Sequence, residues 1–306
     1  MLTVDTEALP KRASQEHVKR LVWGEHDKGT AGVREMCAAA DEFNAKIVFF
    51  VDICGAYSRL DEVTEAVRWL DRAGHDVQLH THSEYLPEGF WAEHGFKYRP
   101  RFLNQYGLDK AEFTIRHFSK LLSDITGKPV LGYRAGSFRW NANMIRAVKS
   151  VGIPISFNNS MNAFVTGKCT FSDPGNFPFV WSNGVLEVPM TERLFRFPFV
   201  KPWWGRLQFP ISNDSSNPPW KVMAPFWGMD DSFLVVLLHS WSLLYWDENG
   251  HAVYRDDWRI EDFRKLLRKL SKDYDIITTA DFLDLRASGK IPALRTVDLE
   301  QADLAG

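Results

Sequence analysis

Cysteine is scarce in this 306-residue chain: Cys37, Cys54 and Cys169 are the only three, and no two form a C-x-x-C pair. An odd, widely spaced set argues against a disulfide scaffold and fits a reducing compartment. Long apolar runs are missing too. Ile47 to Ile53 and Phe233 to Leu238 fall far short of a membrane span. Neither charge sign dominates: 37 Lys and Arg face 39 Asp and Glu, interspersed, for a formal net charge of -2. That balance supplies neither a nucleic-acid stripe nor a polybasic membrane patch. The opening Met1-Leu2-Thr3-Val4-Asp5 has no basic or apolar leader character, so the expectation is a cytoplasmic protein without an integral membrane segment. Also lacking are a G-x-G-x-x-G after the first strand-like run, a Walker loop, and a G-x-S-x-G around Ser137, Ser160 or Ser240. Dinucleotide, P-loop and serine-nucleophile chemistry are therefore unsupported.

What is present is a globular composition, 45% hydrophobic and 25% charged, with room for a sizeable core. Strand-like runs are Leu2 to Val4, Lys46 to Asp52, Asp76 to Leu79, Val130 to Tyr133, Ile153 to Phe157, Val185 to Val188, Phe233 to Leu238 and Asp275 to Thr278. Amphipathic stretches separate them: Ala31 to Phe43, Leu60 to Arg72, Asp109 to Thr126, Asn141 to Val151 and Arg259 to Leu270. Strict alternation predicts an α/β fold with parallel strands and crossover helices. Seven or eight units suit a closed or nearly closed barrel. The expected organisation is one domain over residues 1–290, with an aromatic and proline-rich loop insertion around 174–230 and a polar tail over 291–306. Nine of the 15 prolines lie between Pro174 and Pro225, and seven tryptophans (Trp181, Trp203, Trp204, Trp220, Trp227, Trp241 and Trp246) crowd the stretch up to Trp246. Aromatic faces of this kind stack on sugar rings, although tryptophans also pack the undersides of loops.

In parallel α/β folds the functional side chains sit where strands end. The first strand runs into Asp5-Thr6-Glu7 and the third into His80-Thr81-His82-Ser83-Glu84. The fourth runs into Tyr133-Arg134-Ala135-Gly136-Ser137, and Phe233 to Leu238 into His239-Ser240-Trp241. Carboxylates, imidazoles and a guanidinium are thus expected on one rim. His80 and His82, two apart on an extended segment, face one side. With Glu7 they form the donor set of a divalent transition metal, and Glu84 stands as an alternative to His82. Asp5 is either a structural ion-pair partner of Arg134 or a base that Arg134 keeps ionised. His239 is either a buried structural imidazole or an acid titrating near neutrality.

In this order the motifs resemble those of the NodB-like polysaccharide deacetylases, carbohydrate esterase family 4, over Leu2 to about Leu283. Within that family the Leu79-His80-Thr81-His82 and Leu238-His239-Ser240-Trp241 segments are similar to the WalW and WbmS branch, associated with lipopolysaccharide biosynthesis. The resemblance implies an irregular (β/α)7-type barrel. It implies Asp5 as catalytic base, Arg134 orienting it and His239 as general acid. Glu7, His80 and His82 (or Glu84) become ligands of a metal, Zn2+ first, with Ni2+ or Co2+ as alternatives. A backbone N–H near Ser137 would stabilise an oxyanion, and Ser137 and Trp241 would line the substrate. Two departures stand out: the second metal histidine usually lies at the position of Glu84, and the Asp that braces the Arg is replaced by Asn158. The implied activity is metal-dependent removal of an acetyl or other short acyl group from an amino sugar, in a glycan or its nucleotide- or lipid-linked precursor. The competing expectations are a silent glycan-binding barrel and an amidase acting on a non-sugar amide.

Overall fold

The computed structural model describes residues 1–303 except 14, 172 and 211–230. Trp220, Trp227, the insertion from 211 to 230 and the end of the tail lie outside the described residues. The main sheet has nine strands: β1 (Leu2–Thr6), β2 (Val48–Asp52), β3 (Asp76–Thr81), β4 (Gly132–Ala135), β5 (Ile155–Ser156), β6 (Phe179–Trp181), β7 (Leu186–Glu187), β8 (Val236–His239) and β9 (Thr296–Val297). Their order is β8-β1-β2-β3-β4-β5-β7-β6-β9. Every neighbouring pair is parallel except β6 with β7. All five residues of β1 and of β2 are buried. That is the signature of parallel strands covered on both faces, and it explains why these runs show no polar alternation.

Crossovers are supplied by α1 (Val33–Asp41), α2 (Leu60–Arg72), α3 (Leu108–Thr126) and α4 (Ala142–Val151), with α5 (Trp258–Asp273) and α6 (Thr279–Ala287) following β8. In α2, Val63, Ala66, Val67 and Leu70 form the buried stripe, the spacing of one helical face. The α4 helix starts where the Asn141 side chain accepts the Met144 N–H and stops at Gly152, whose φ of 87° suits glycine.

The sheet as ordered is open, but a second set of hydrogen bonds closes it. The chain beyond β7 passes Val188 N–H to Ser156 O (2.8 Å) and Met190 N–H to Asn159 O (3.0 Å). Leu207 N–H then donates to Thr191 O (2.8 Å), Leu237 N–H to Leu207 O (3.0 Å) and Phe209 N–H to Leu237 O (2.8 Å). Residues 207–209 therefore stand between β8 and the continuation of β7, and the result is an irregular barrel. Strands β6 and β9 extend the sheet beyond this closure.

Two expectations need correcting. Asp275 to Thr278 is not a strand: the Thr278 side chain accepts the Asp281 N–H, the Asp281 carboxylate accepts the Thr278 N–H, and this capping box starts α6. Residues 291–303 are more than a polar tail. They contribute β9 and bury Val297, Leu299 and Ala302, while Arg146 on α4 pairs with Glu300 and Asp303. The expected insertion contains a two-stranded hairpin, Glu192–Phe197 with Val200–Arg206.

Candidate metal and catalytic centre

Register brings the rim together. Asp5 lies beside His239 on β8, and His80 lies between Asp52 on β2 and Arg134 on β4. Residues paired in adjacent strands project to the same face, so all five side chains share the barrel interior at the C-terminal strand ends.

Arg134 is fully buried, and its Nη1 donates to Asp5 Oδ1 at 2.6 Å. Thr3 Oγ1 lies 3.2 Å from both guanidinium Nη atoms, and the Phe50 ring lies 4.1 Å from the guanidinium carbon. Burial pushes the Asp5 carboxyl upward, but Arg134 beside it, aided by His80 and His239, holds it below the usual carboxylate range. The Asp5 Oδ2 stays turned to the site, 3.9 Å from His80 Nε2.

Glu7 Oε1 sits 2.8 Å from His82 Nε2 and 3.3 Å from His80 Nε2. The opposite ring nitrogens are occupied: His80 Nδ1 faces the Arg134 carbonyl at 2.8 Å and His82 Nδ1 faces the Glu84 carboxylate at 2.9 Å. Each ring thus meets an oxygen acceptor at both nitrogens, a demand that a neutral imidazole with one N–H cannot meet alone. A cation between Glu7 Oε1 and the two Nε2 atoms meets it, as does a proton on each Nε2. Burial lowers both imidazoles, yet Asp5 and Glu7 around His80, and Glu7 and Glu84 around His82, raise them above the ordinary histidine value, His82 strongly. Glu7 itself is lifted by burial and pulled well below its usual range by His82 and His80. With both imidazoles neutral, Asp5, Glu7 and Glu84 outnumber Arg134 by two charges, a balance that a divalent cation at Glu7 Oε1, His80 Nε2 and His82 Nε2 would restore. Each histidine already has the outer partner that orients a metal-bound imidazole.

Of the two expected ligand sets, the geometry gathers the one with His82. Glu84 lies behind that ring and orients it. Asn158 makes no hydrogen bond to Arg134 among the described residues: its Oδ1 accepts the Ala135 N–H at 2.7 Å and its Nδ2 donates to Ser156 Oγ at 2.9 Å. The Asp-to-Asn departure thus falls on a strand peptide rather than on the guanidinium. Ser240 Oγ accepts the Glu7 N–H at 3.2 Å and so helps to fix the ligand loop. Ser137 has φ 54° and lines the cleft above Asp5 and Glu7. The preceding Gly136 permits that turn, because a Cβ there would meet Thr81 O at 2.5 Å and His82 Nδ1 at 2.7 Å.

His239 is partly buried, and burial holds it below its ordinary value, with Glu7 and Asp5 opposing. Trp241 stacks on it, centroids 4.1 Å apart and planes 18° apart. Trp241 is 3% exposed, so most of its surface packs against protein rather than offering an open platform. The sequence reading overlooked Asp52, which ends β2 as Asp5 nearly ends β1. Its carboxylate accepts the His82, Cys54 and Gly55 N–H groups at 2.9, 3.0 and 3.0 Å, locking the loop that presents His82. Burial raises it above the usual range. Its position at a strand end was the signal.

No family model matches the sequence, and no curated protein matches it. Solved structures do. A polysaccharide deacetylase-like protein from Mycobacterium smegmatis aligns at TM-score 0.58 and 15% identity, over 97% of this chain and 93% of the other. The 4-alpha-glucanotransferase from Thermococcus litoralis aligns at TM-score 0.52 and 11% identity, over 97% and 40%. A family 4 carbohydrate esterase from Streptomyces lividans aligns at TM-score 0.44 and 11% identity, over 91% and 92%. The chain shares the NodB-type α/β barrel, a sugar-deacetylase-like fold. At these identities the likeness is one of fold, and the glucanotransferase shows that related barrels host other chemistry.

Proposed function

We propose that this protein is a metal-dependent deacylase that removes acetyl or another short acyl group from an amino sugar of a surface polysaccharide or its precursor, working in the cytoplasm. The observation that carries this reading is the convergence of Glu7 Oε1, His80 Nε2 and His82 Nε2 beside an Arg134-paired Asp5. A divalent ion there, Zn2+ first by its donor set, would polarise an acyl carbonyl and a water. Asp5 accepts the proton at Oδ2 as water adds to the acyl carbon, because Oδ1 is held by Arg134. His239 faces the same space from the neighbouring strand, and in this reading its protonated form donates to the departing amine. The turn at Ser137 presents backbone to the developing oxyanion. Residues 1–290 form the catalytic unit in this reading.

The test is elemental analysis of purified protein, followed by an acyl-release screen. About one divalent ion per chain is expected, with loss of acyl release on chelation and recovery on adding Zn2+, Ni2+ or Co2+. Protein that purifies without metal and is indifferent to chelator would point instead to a silent glycan-binding barrel.

A further inference from the structure

Above the centre opens a cleft of about 820 Å3 whose floor is Asp5, Glu7 and His239. Its walls are basic: Lys11, Arg12, Lys168, Lys201 and Arg206. Glu192 pairs with Arg206 at 2.8 Å. Lys11, Arg12, Lys168 and Lys201 have no carboxylate partner among the described residues. Lys168 is half-buried and held below its ordinary value, by burial first and then by the nearby charges of Arg206, Arg139 and Lys11. Four cations without a carboxylate partner among the described residues, above an acidic floor, form a seat for an anion. Arg12 also lies over the Trp246 and Trp241 rings at 4.6 and 5.6 Å, so a neutral polymer would leave Lys168 and Lys201 without a counter-charge among the described residues.

One cleft wall is the hairpin, which supplies Leu194, Lys201, Pro202, Trp203 and Trp204. Its far end is apolar and open. Phe199 is 108% exposed, and Phe197 and Val200 are 48% exposed. Phe195 and Phe197 stack on Trp203 at 5.4 and 5.7 Å, which stiffens the finger. The base is fixed as well, since Glu192 accepts from Ser160 Oγ at 2.7 Å and from Arg206 Nε at 2.8 Å. From Arg193 to Asn213 the chain has no acidic residue, and Arg196 and Lys201 flank the exposed aromatics. Aromatic and aliphatic side chains beside cations suit the interface of an anionic bilayer.

We propose that the hairpin tip rests on an anionic membrane surface and that the cleft takes an acylated amino sugar joined through phosphate to a lipid of that membrane. The inference rests on the deacylase reading for its substrate, and one of its two readouts is independent of turnover. Full-length protein is sedimented with phosphatidylglycerol-containing vesicles and with phosphatidylcholine vesicles. Binding to the anionic vesicles is expected, falling at least tenfold in Phe199→Asp while melting temperature and turnover of a water-soluble substrate are unchanged. Acyl release is then compared on farnesyl-diphosphate-linked N-acetylglucosamine, UDP-N-acetylglucosamine and N-acetylchitotetraose. The lipid-linked probe should lead, and Lys168→Ala should cut its kcat/KM at least tenfold while sparing the neutral tetramer. Equal sedimentation of parent and Phe199→Asp would overturn the membrane contact. The tetramer or the nucleotide sugar leading would overturn the substrate. If the anionic vesicles bind and no probe releases acyl, the deacylase reading fails while the membrane contact stands.

Discussion

The two ends of the barrel are built from the same strands and share almost no chemistry. At the C-terminal ends, Asp5, Glu7, His80, His82 and Arg134 are buried together. At the other end Met1, Leu2, Phe233, Leu234, Ile276 and Ile291 line an apolar cavity of about 420 Å3. Stability is drawn from the second kind of surface, because buried apolar area is favourable while buried charge must be compensated partner by partner. The rim is thus a place where the fold tolerates an unfavourable cluster for the sake of chemistry, and the base is where that cost is offset.

Substitutions should separate the two ends. Asp5→Asn and His239→Ala are each expected to lower kcat by roughly 10²–10⁴, with far-ultraviolet circular dichroism unchanged. Asp5→Asn should also melt earlier, because it strands the buried Arg134 charge. Turnover within tenfold of the parent for both variants would remove these roles. At the opposite end, Phe282 is fully buried and packs on Phe233 at 5.6 Å. Phe282→Ala should cost about 3–5 kcal/mol in denaturant unfolding and leave kcat unchanged below the melting transition. A smaller effect is expected behind the ligands. Glu84→Gln should weaken metal binding roughly 10–100-fold, read by competition with a chromophoric chelator, and added metal should restore activity.

A pH dependence is expected away from both ends. His75 Nδ1 accepts the Ile47 N–H at 3.2 Å, and burial first, then Lys46, pushes its folded value down to about 4. The unfolded chain, titrating near its ordinary 6.5, then binds more protons than the folded one between those values. Stability is therefore unaffected above about pH 6.5, falls as pH drops toward 4, and levels below; the loss is at most on the order of 3 kcal/mol. His75→Asn should flatten that slope in chemical denaturation at pH 4.5 against pH 7.

Much of this was legible in the chain itself. The strand-end residues Asp5, Glu7, His80, Arg134 and His239 stood out because apolar runs deliver whatever follows them to one rim. The helices were legible too, since Leu60 to Arg72 matches α2 residue for residue. Short strands were harder. Phe179–Trp181 and Thr296–Val297 are held by partners far away in sequence, so no local pattern marks them. Asp275 to Thr278 misled because β-prone Ile276 and Ile277 lost to the cap at Thr278.

Local sequence, then, determined which side chains arrive at the barrel mouth, because the strand period and the burial of whole strands are set by neighbours in the chain. Only the tertiary structure decided what each one meets there. His82 rather than Glu84 turns toward Glu7, Asn158 braces a peptide instead of Arg134, and Trp241 lies against His239. Such choices depend on which donor finds which acceptor across strands separated by tens to hundreds of residues. That matching is settled by register and burial, which no single stretch of sequence contains.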